Sequence, residues 1–292
     1  METEKLVRAG KIADECLKLG RREIRIGNKA LDVLRKIESL VEKNNAKLAF
    51  PTNISINEVA AHEALSFEDN LIFKKNDLVK LDLGVHIDGN IVDCAITIDL
   101  GNNNDLVLAS KQALKEALKL AVPGTELREI GKKINEVIEG YNLKPVRNLY
   151  GHSIEKYNIH GGLKVPNYDN GDKTKLEKGQ LIAIEPFATD GFGLIEEGKP
   201  SDVYTLKKLK PLRNSKAKEI LEFIKEEYKT LPFAKRWILE RFPNSNTYFN
   251  ILVKEEILAN YGNLIEKQKG LVSQHETTIL VGERILVNES LK

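Results

Sequence analysis

Residues 78–99 read Leu78-Val79-Lys80-Leu81-Asp82-Leu83-Gly84-Val85-His86-Ile87-Asp88-Gly89-Asn90-Ile91-Val92-Asp93-Cys94-Ala95-Ile96-Thr97-Ile98-Asp99. Apolar residues alternate with polar or small ones on both sides of Asp88-Gly89, the period of a strand whose two faces differ. Asp-Gly tolerates the positive φ of a two-residue turn, so the stretch from Asp77 to Leu100 is expected to form a hairpin. The turn fixes the register: Ile87 faces Asn90, Gly84 faces Asp93 and Asp82 faces Ala95. Asp82 and Asp93 then share a face as diagonal neighbours, roughly 7 Å apart at the backbone, within reach of one cation. The opposite face carries Leu81, Leu83, Val85, Val92, Cys94, Ile96 and Ile98 and must be buried. A plainer reading of the same pattern makes Lys80, Asp82, His86, Asp93, Thr97 and Asp99 the solvated side of a ribbon. His86 and Asp99 cannot join the aspartates, because a strand advances about 3.3 Å per residue and leaves them roughly 13 and 20 Å away.

Working outward, residues 4–20 and 27–43 have helical periodicity, the second with Leu31, Leu34, Ile37 and Val41 on one stripe. Helices are again expected over 105–121 and 126–140, followed by strands near 145–154 and 180–184. Helices then strands occur twice, which suggests a pseudo-symmetric α+β core. Between 203 and 260 the texture changes to short charged helices, such as 217–228 and 233–241, with Trp237 as an apolar anchor. This predicts an inserted, winged-helix-like helical subdomain over 203–260. Residues 271–287 are strand-rich again, so a core of 1–202 plus 261–292 is expected to be discontinuous.

The chain of 292 residues is 41% hydrophobic and can bury a sizeable core. Its 45 basic and 43 acidic residues leave a formal charge of +2, without the asymmetry expected of a nucleic-acid or membrane binder. Cys16 and Cys94 are too few and too internal for a disulfide scaffold, and there is no apolar run of signal or membrane-span length. A cytoplasmic protein without a membrane or nucleic-acid partner is expected.

Three further residues are candidates for the chemistry: His152 in Gly151-His152-Ser153, Glu185 before Pro186-Phe187, and Glu276 in Gln274-His275-Glu276-Thr277. Each has an ordinary alternative, His152 as a loop residue held by backbone hydrogen bonds and Glu185 as a marker of the sheet edge. Their combination with Asp82 and Asp93 is the signal, since four carboxylates balance the charge of two divalent ions. One imidazole among oxygens suits Mn, Fe, Co or Zn.

These blocks, with Ala49-Phe50-Pro51-Thr52-Asn53-Ile54-Ser55, Ala60-Ala61-His62, Asn148-Leu149-Tyr150-Gly151-His152 and Ile159-His160-Gly161-Gly162, resemble the type 2 methionine aminopeptidases over nearly the whole chain. The resemblance implies a pita-bread fold, two divalent metal ions on Asp82, Asp93, His152, Glu185 and Glu276, and water activated at those ions to hydrolyse the first peptide bond. It implies that Asp93 and Glu276 bridge the ions and that the substrate α-amino group lies at the Asp82 ion. Glu185 would relay a proton, His160 stabilise the oxyanion and His62 hold the substrate amide or leaving group. Phe50, Ile159, Phe187 and Tyr261 would line the methionine pocket. Expected partners are N-terminal methionine peptides and nascent chains, with the ribosome as a further candidate, and the protein is expected to be a monomer. In relatives a histidine follows the residue matched by Glu276, whereas here Thr277 follows and His275 precedes. Rivals are a proline-specific aminopeptidase or prolidase of the same fold, for whose N-terminal domain Asp82 lies too early, and a metal-free ribosome- or nucleic-acid-binding relative. The opening Met1-Glu2 predicts a retained initiator, because a crowded second subsite rejects glutamate.

Overall fold

The computed structural model describes residues 2–292, so Met1, and with it the question of the retained initiator, lies outside the described residues. Helix α1 (Thr3–Glu23) buries Leu6, Ala9, Ile12, Ala13, Cys16 and Leu17, and α2 (Ala30–Lys43) buries Val33, Leu34, Ile37 and Val41, both at helical spacing. Strands β1 (Asn53–Ile56) and β2 (Val59–Ala61) follow, then the hairpin of β3 (Leu78–Ile87) and β4 (Asn90–Asp99). Asp88 and Gly89 adopt φ of 50° and 80°, the double positive that a type I′ turn requires. The register is the expected one, with Asp82 opposite Ala95 and Gly84 opposite Asp93.

The solvated-ribbon reading fails, because Lys80, Asp82, His86, Asp93 and Thr97 are all buried and only Asp99 is partly exposed. Lys80 keeps its ammonium satisfied by donating from Nζ to Asn57 O at 2.7 Å. His86 accepts the Gly89 N–H on Nδ1 at 3.2 Å, and Asp99 accepts the N–H groups of Gly101 and Asn103, so both serve turns away from the two aspartates.

The pattern then repeats with α3 (Asn104–Leu120), α4 (Leu127–Glu139), β5 (Tyr150–Ser153) and β6 (Leu181–Ile184). A reciprocal Glu126/Glu129 capping box starts α4. One antiparallel sheet runs β1-β3-β4-β11-β6-β5, where β11 (Glu276–Leu280), which follows the short β10 (Val272–Gln274), comes from near the end of the chain and sits between the halves. Cys94, Thr277 and Ile184 form one cross-strand row. Cys94 packs in the core of α1 and α2, and Ile184 in that of α3 and α4. Both helix pairs therefore cover the same face, in the expected pseudo-symmetric α+β arrangement, and leave the other face free for a site.

Between the halves lies a ribbon of β7 (Ile195–Leu206) and β9 (Leu258–Glu266), flanked by β8 (Phe233–Ala234) on one side and β2 on the other. Helices α5 (Ser215–Glu227), α6 (Lys235–Arg241) and α7 (Asn246–Lys254) hang from it around their own core, which includes Ile220, Ile224, Phe233, Ile238, Phe249 and Leu252. The limits expected at 202/203 and 260/261 fall inside β7 and β9, because the ladder that carries the helices begins before 203 and continues past 260. Trp237 is more than an apolar anchor: its ring stacks on Tyr228 and its Nε1 donates to Glu38 Oε1 of α2 at 2.7 Å.

Candidate metal centre

The sheet places five nominated side chains on its free face by register alone. Asp82, Ala95 and Glu276 form one row across β3, β4 and β11. Thr278, Ala183 and His152 form the next across β11, β6 and β5. Asp93 lies on the same face two residues before Ala95. Glu185, just past Ile184, which pairs with Thr277, lies beside Glu276. The Thr278 hydroxyl ties the two rows together, accepting the Asp93 N–H at 2.7 Å and donating to Asp93 O at 2.8 Å.

Ligand atoms of Asp93, His152 and Glu276 lie within 4.8 Å of one another. His152 Nε2 is 3.5 Å from Asp93 Oδ2 and 3.8 Å from Glu185 Oε1. Asp82 joins from the far end of its row, on the wall of the same cavity. Burial raises the carboxyls of Asp82, Glu185 and Glu276 well above the ordinary range, with the charge of Asp93 the next contribution to each. Asp93 itself is pushed up to about 7 by burial. Burial also depresses His152, to about 4, which keeps its imidazole in the neutral, metal-ligating form.

Two like charges about 4 Å apart repel by about 4 kcal/mol even at an effective dielectric near 20, so this group of carboxylates stays ionised only with cations among them. Among the described residues, Asp82 Oδ1, Asp93 Oδ1 and Glu276 Oε1 are buried without a hydrogen-bond partner. Unpartnered buried oxygens facing one another, and no lysine or arginine paired with them among the described residues, fit divalent metal.

Two residues that sequence reasoning left without a role hold this arrangement. Asn53, opposite Asp82 in the β1/β3 ladder, and Gln274 set their side-chain amides beside the Asp82 carboxylate and hold its pKa down against burial. Gln274 Nε2 also donates to Glu276 Oε2 at 3.3 Å. Gln274 was within reach of the sequence, being two residues before Glu276; the partner strand of Asn53 was not.

The face of the cluster opens into a cavity of about 210 Å³, whose lining includes Phe50, His62, Ile159, His160, Phe187 and Tyr261, all of the remaining nominated residues. Phe50, Ile159 and Phe187 are buried and also belong to the surrounding cores. His160 stands exposed at the mouth with its ring edge-on to His152 at 4.6 Å. The desolvated wall and then His152 draw its pKa below the ordinary value. His62 is half-buried, held at φ of 62° and edge-on to Tyr261 at 5.4 Å. Burial lowers its pKa to about 4, against a countering hydrogen bond to the Gly262 backbone. Val203, Pro232 and Leu264, which the sequence did not single out, complete the wall from the ribbon side.

The histidine exchange is resolved as strand alternation predicts. His275 turns away from the cluster to hydrogen-bond Ser110 Oγ through Nδ1 at 2.8 Å, and Thr277 Oγ1 donates to Val287 O at 2.6 Å.

Residues 4–218 match the family model described as metallopeptidase family M24. The methionine aminopeptidase of Methanocaldococcus jannaschii is 42% identical, the alignment covering 96% of this chain and 95% of that protein. That of Archaeoglobus fulgidus is 43% identical over 95% of this chain and 94% of its own. Among solved structures, the methionine aminopeptidase of Thermotoga maritima superposes with a TM-score of 0.71 at 23% identity, covering 97% of this chain and 95% of that one. That likeness is one of fold, the pita-bread fold.

Proposed function

The chain belongs to metallopeptidase family M24, and on that footing we propose that it hydrolyses the bond after an N-terminal methionine in peptides and nascent chains. The observation that carries the reading is the juxtaposition of buried, unpartnered carboxylate oxygens with an apolar cavity directly above them. Asp82, Asp93, His152, Glu185 and Glu276 would hold two divalent ions, with Asp93 and Glu276 shared between them. Such ions supply Lewis acidity, polarising a peptide carbonyl and making water a nucleophile near neutral pH.

The chain's own groups do the rest. Glu185, with its carboxyl held above the ordinary range by burial, takes the proton from water and passes it to the leaving amine. His160, kept neutral at the mouth of the cavity, donates an N–H to the carbonyl oxygen as charge develops there. His62 donates to the substrate amide on the side of Tyr261. Phe50, Ile159, Phe187 and Tyr261 take the methionine side chain, for which a narrow apolar slot favours an unbranched residue. We assign the protein to the cytoplasm as a monomer; no helix among the described residues is long and apolar enough to cross a membrane.

Competition among Met-Ala, Met-Glu, Leu-Ala and Ala-Pro peptides, with Mn, Fe, Co or Zn supplied in turn, tests this. Met-Ala should be cleaved first and Met-Glu should resist. Preference for Ala-Pro would replace the reading with a proline-specific one, and metal binding without hydrolysis of any peptide would leave a binding module.

A further inference from the structure

Arg236, at the start of α6, is almost fully buried, yet it is far from solvent for no reason of core packing: it makes polar contacts in three directions. Its guanidinium forks onto Glu38 of α2, with Nη2 donating to Oε1 at 2.7 Å and Nη1 to Oε2 at 3.1 Å. Nε donates to Leu65 O at 3.4 Å, in the loop that leaves His62. Its backbone N–H donates to Asp202 Oδ2 at 2.9 Å, in β7. Trp237 adds its indole N–H to the same Glu38 oxygen.

The contacts to Asp202 and to the loop after His62 adjoin the wall of the substrate cavity. Asp202 precedes Val203, which pairs with Ala234 on one side and Tyr261 on the other, and Pro232 lies just before β8. Through β9, Leu264 pairs with Ala61, the residue before His62. Glu38, by contrast, belongs to α2, whose apolar stripe is packed in the core behind the metal ligands. A bidentate guanidinium–carboxylate pair fixes both distance and plane. We propose that Arg236 is a positioning residue: it clamps the ribbon wall of Val203, Pro232 and Tyr261, and the loop carrying His62, onto α2, and thereby sets the depth of the methionine pocket. This deepens the proposed function and rests on it.

The test uses the full-length, metal-loaded chain with Arg236→Met, Arg236→Lys and the double variant Glu38→Met/Arg236→Met. Steady-state kinetics on Met-Ala peptide is one readout and amide hydrogen exchange is the other. Arg236→Met should raise KM about tenfold, more than it lowers kcat, with metal content unchanged. Exchange should quicken in 61–66 and 258–264 while the hairpin of β3 and β4 stays protected. Arg236→Lys keeps the charge but lacks the fork and the Nε–H, and should fall between. The double variant removes both partners of the buried fork together and should regain part of the thermal stability without regaining KM. A KM within twofold of the parent in Arg236→Met, exchange that quickens equally in the hairpin, or a double variant that recovers KM along with stability would overturn the proposal. Should the parent cleave no methionine peptide, the functional reading falls, and the exchange pattern alone decides the clamp.

Discussion

Asp82 and Glu276, from distant parts of the chain, flank the same residue, Ala95, in adjacent strands of one sheet. Gln274 Nε2 donates to Glu276 Oε2, and its side chain also opposes the rise that burial imposes on the Asp82 carboxyl. The site is thus a property of strand order as well as of composition, and its ionic balance is a liability whenever metal is absent.

Removing one carboxylate separates binding from stability. In metal-free protein, Glu276→Ala should leave the melting temperature unchanged or raise it, since it relieves buried like-charge repulsion. At a hundredfold excess over Kd, metal should stabilise the parent by about 2.7 kcal/mol for each ion bound, a rise of about 4 °C per ion for a chain of this size. That rise should vanish in Glu276→Ala, whereas Asp82→Ala should lose only one ion. Elemental analysis and calorimetric scans with and without Mn²⁺ check this; two ions retained by Glu276→Ala would remove it as a shared ligand.

His160→Ala should lower kcat and kcat/KM together, by on the order of 10² to 10³, because an oxyanion donor acts in the transition state. Metal content should not change, as the ring faces His152 and is not among the residues converging with Asp93. Normal turnover, or loss of metal, contradicts the role.

Gly84 is opposite Asp93, and a Cβ there would lie 2.5 Å from the Phe50 ring and 2.9 Å from Ala49 Cβ. Gly84→Ala should therefore push Phe50 off the cavity wall, costing about 1–3 kcal/mol of stability and raising KM for methionine peptides. Urea denaturation and kinetics on the same preparation measure both, and an unchanged KM would take Phe50 out of the pocket.

His86 titrates outside the metal cluster and gives a pH test of the fold. Burial, then the charge of Lys47, lowers its pKa to about 4 from 6.5, and Nδ1 must stay unprotonated to accept the Gly89 N–H. The unfolded chain therefore binds a proton more readily than the folded one between those values. The stability it contributes is present above pH 6.5 and is lost as pH falls towards 4, by on the order of 2–3 kcal/mol. His86→Asn keeps an acceptor without the titration. Urea midpoints at pH 4.5 and 7, with chelator throughout so that the carboxylates contribute alike, should differ less in this variant than in the parent. An equal difference would mean that His86 does not report the fold.

What is local can be read from the chain alone. Asp88-Gly89 dictated the hairpin register because a two-residue turn leaves no freedom to slip, and that register put Asp82 and Asp93 on one face. Periodicity located both helix pairs because an amphipathic stripe needs only the helix's own spacing. The nominated ligands and pocket residues were legible through the order of several short motifs along the chain, since each motif alone has an ordinary alternative. That the polar side of the hairpin is buried emerges only once the chain is folded, since burial depends on β1, β11 and the ribbon arriving from elsewhere in the chain. For the same reason folding alone discloses Asn53 opposite Asp82, the strands that overrun the limits of the insertion, and Arg236 joining α2 to the loop after His62. Such contacts are fixed by which distant segments share space, and no periodicity or turn residue encodes that in the stretch where each residue lies.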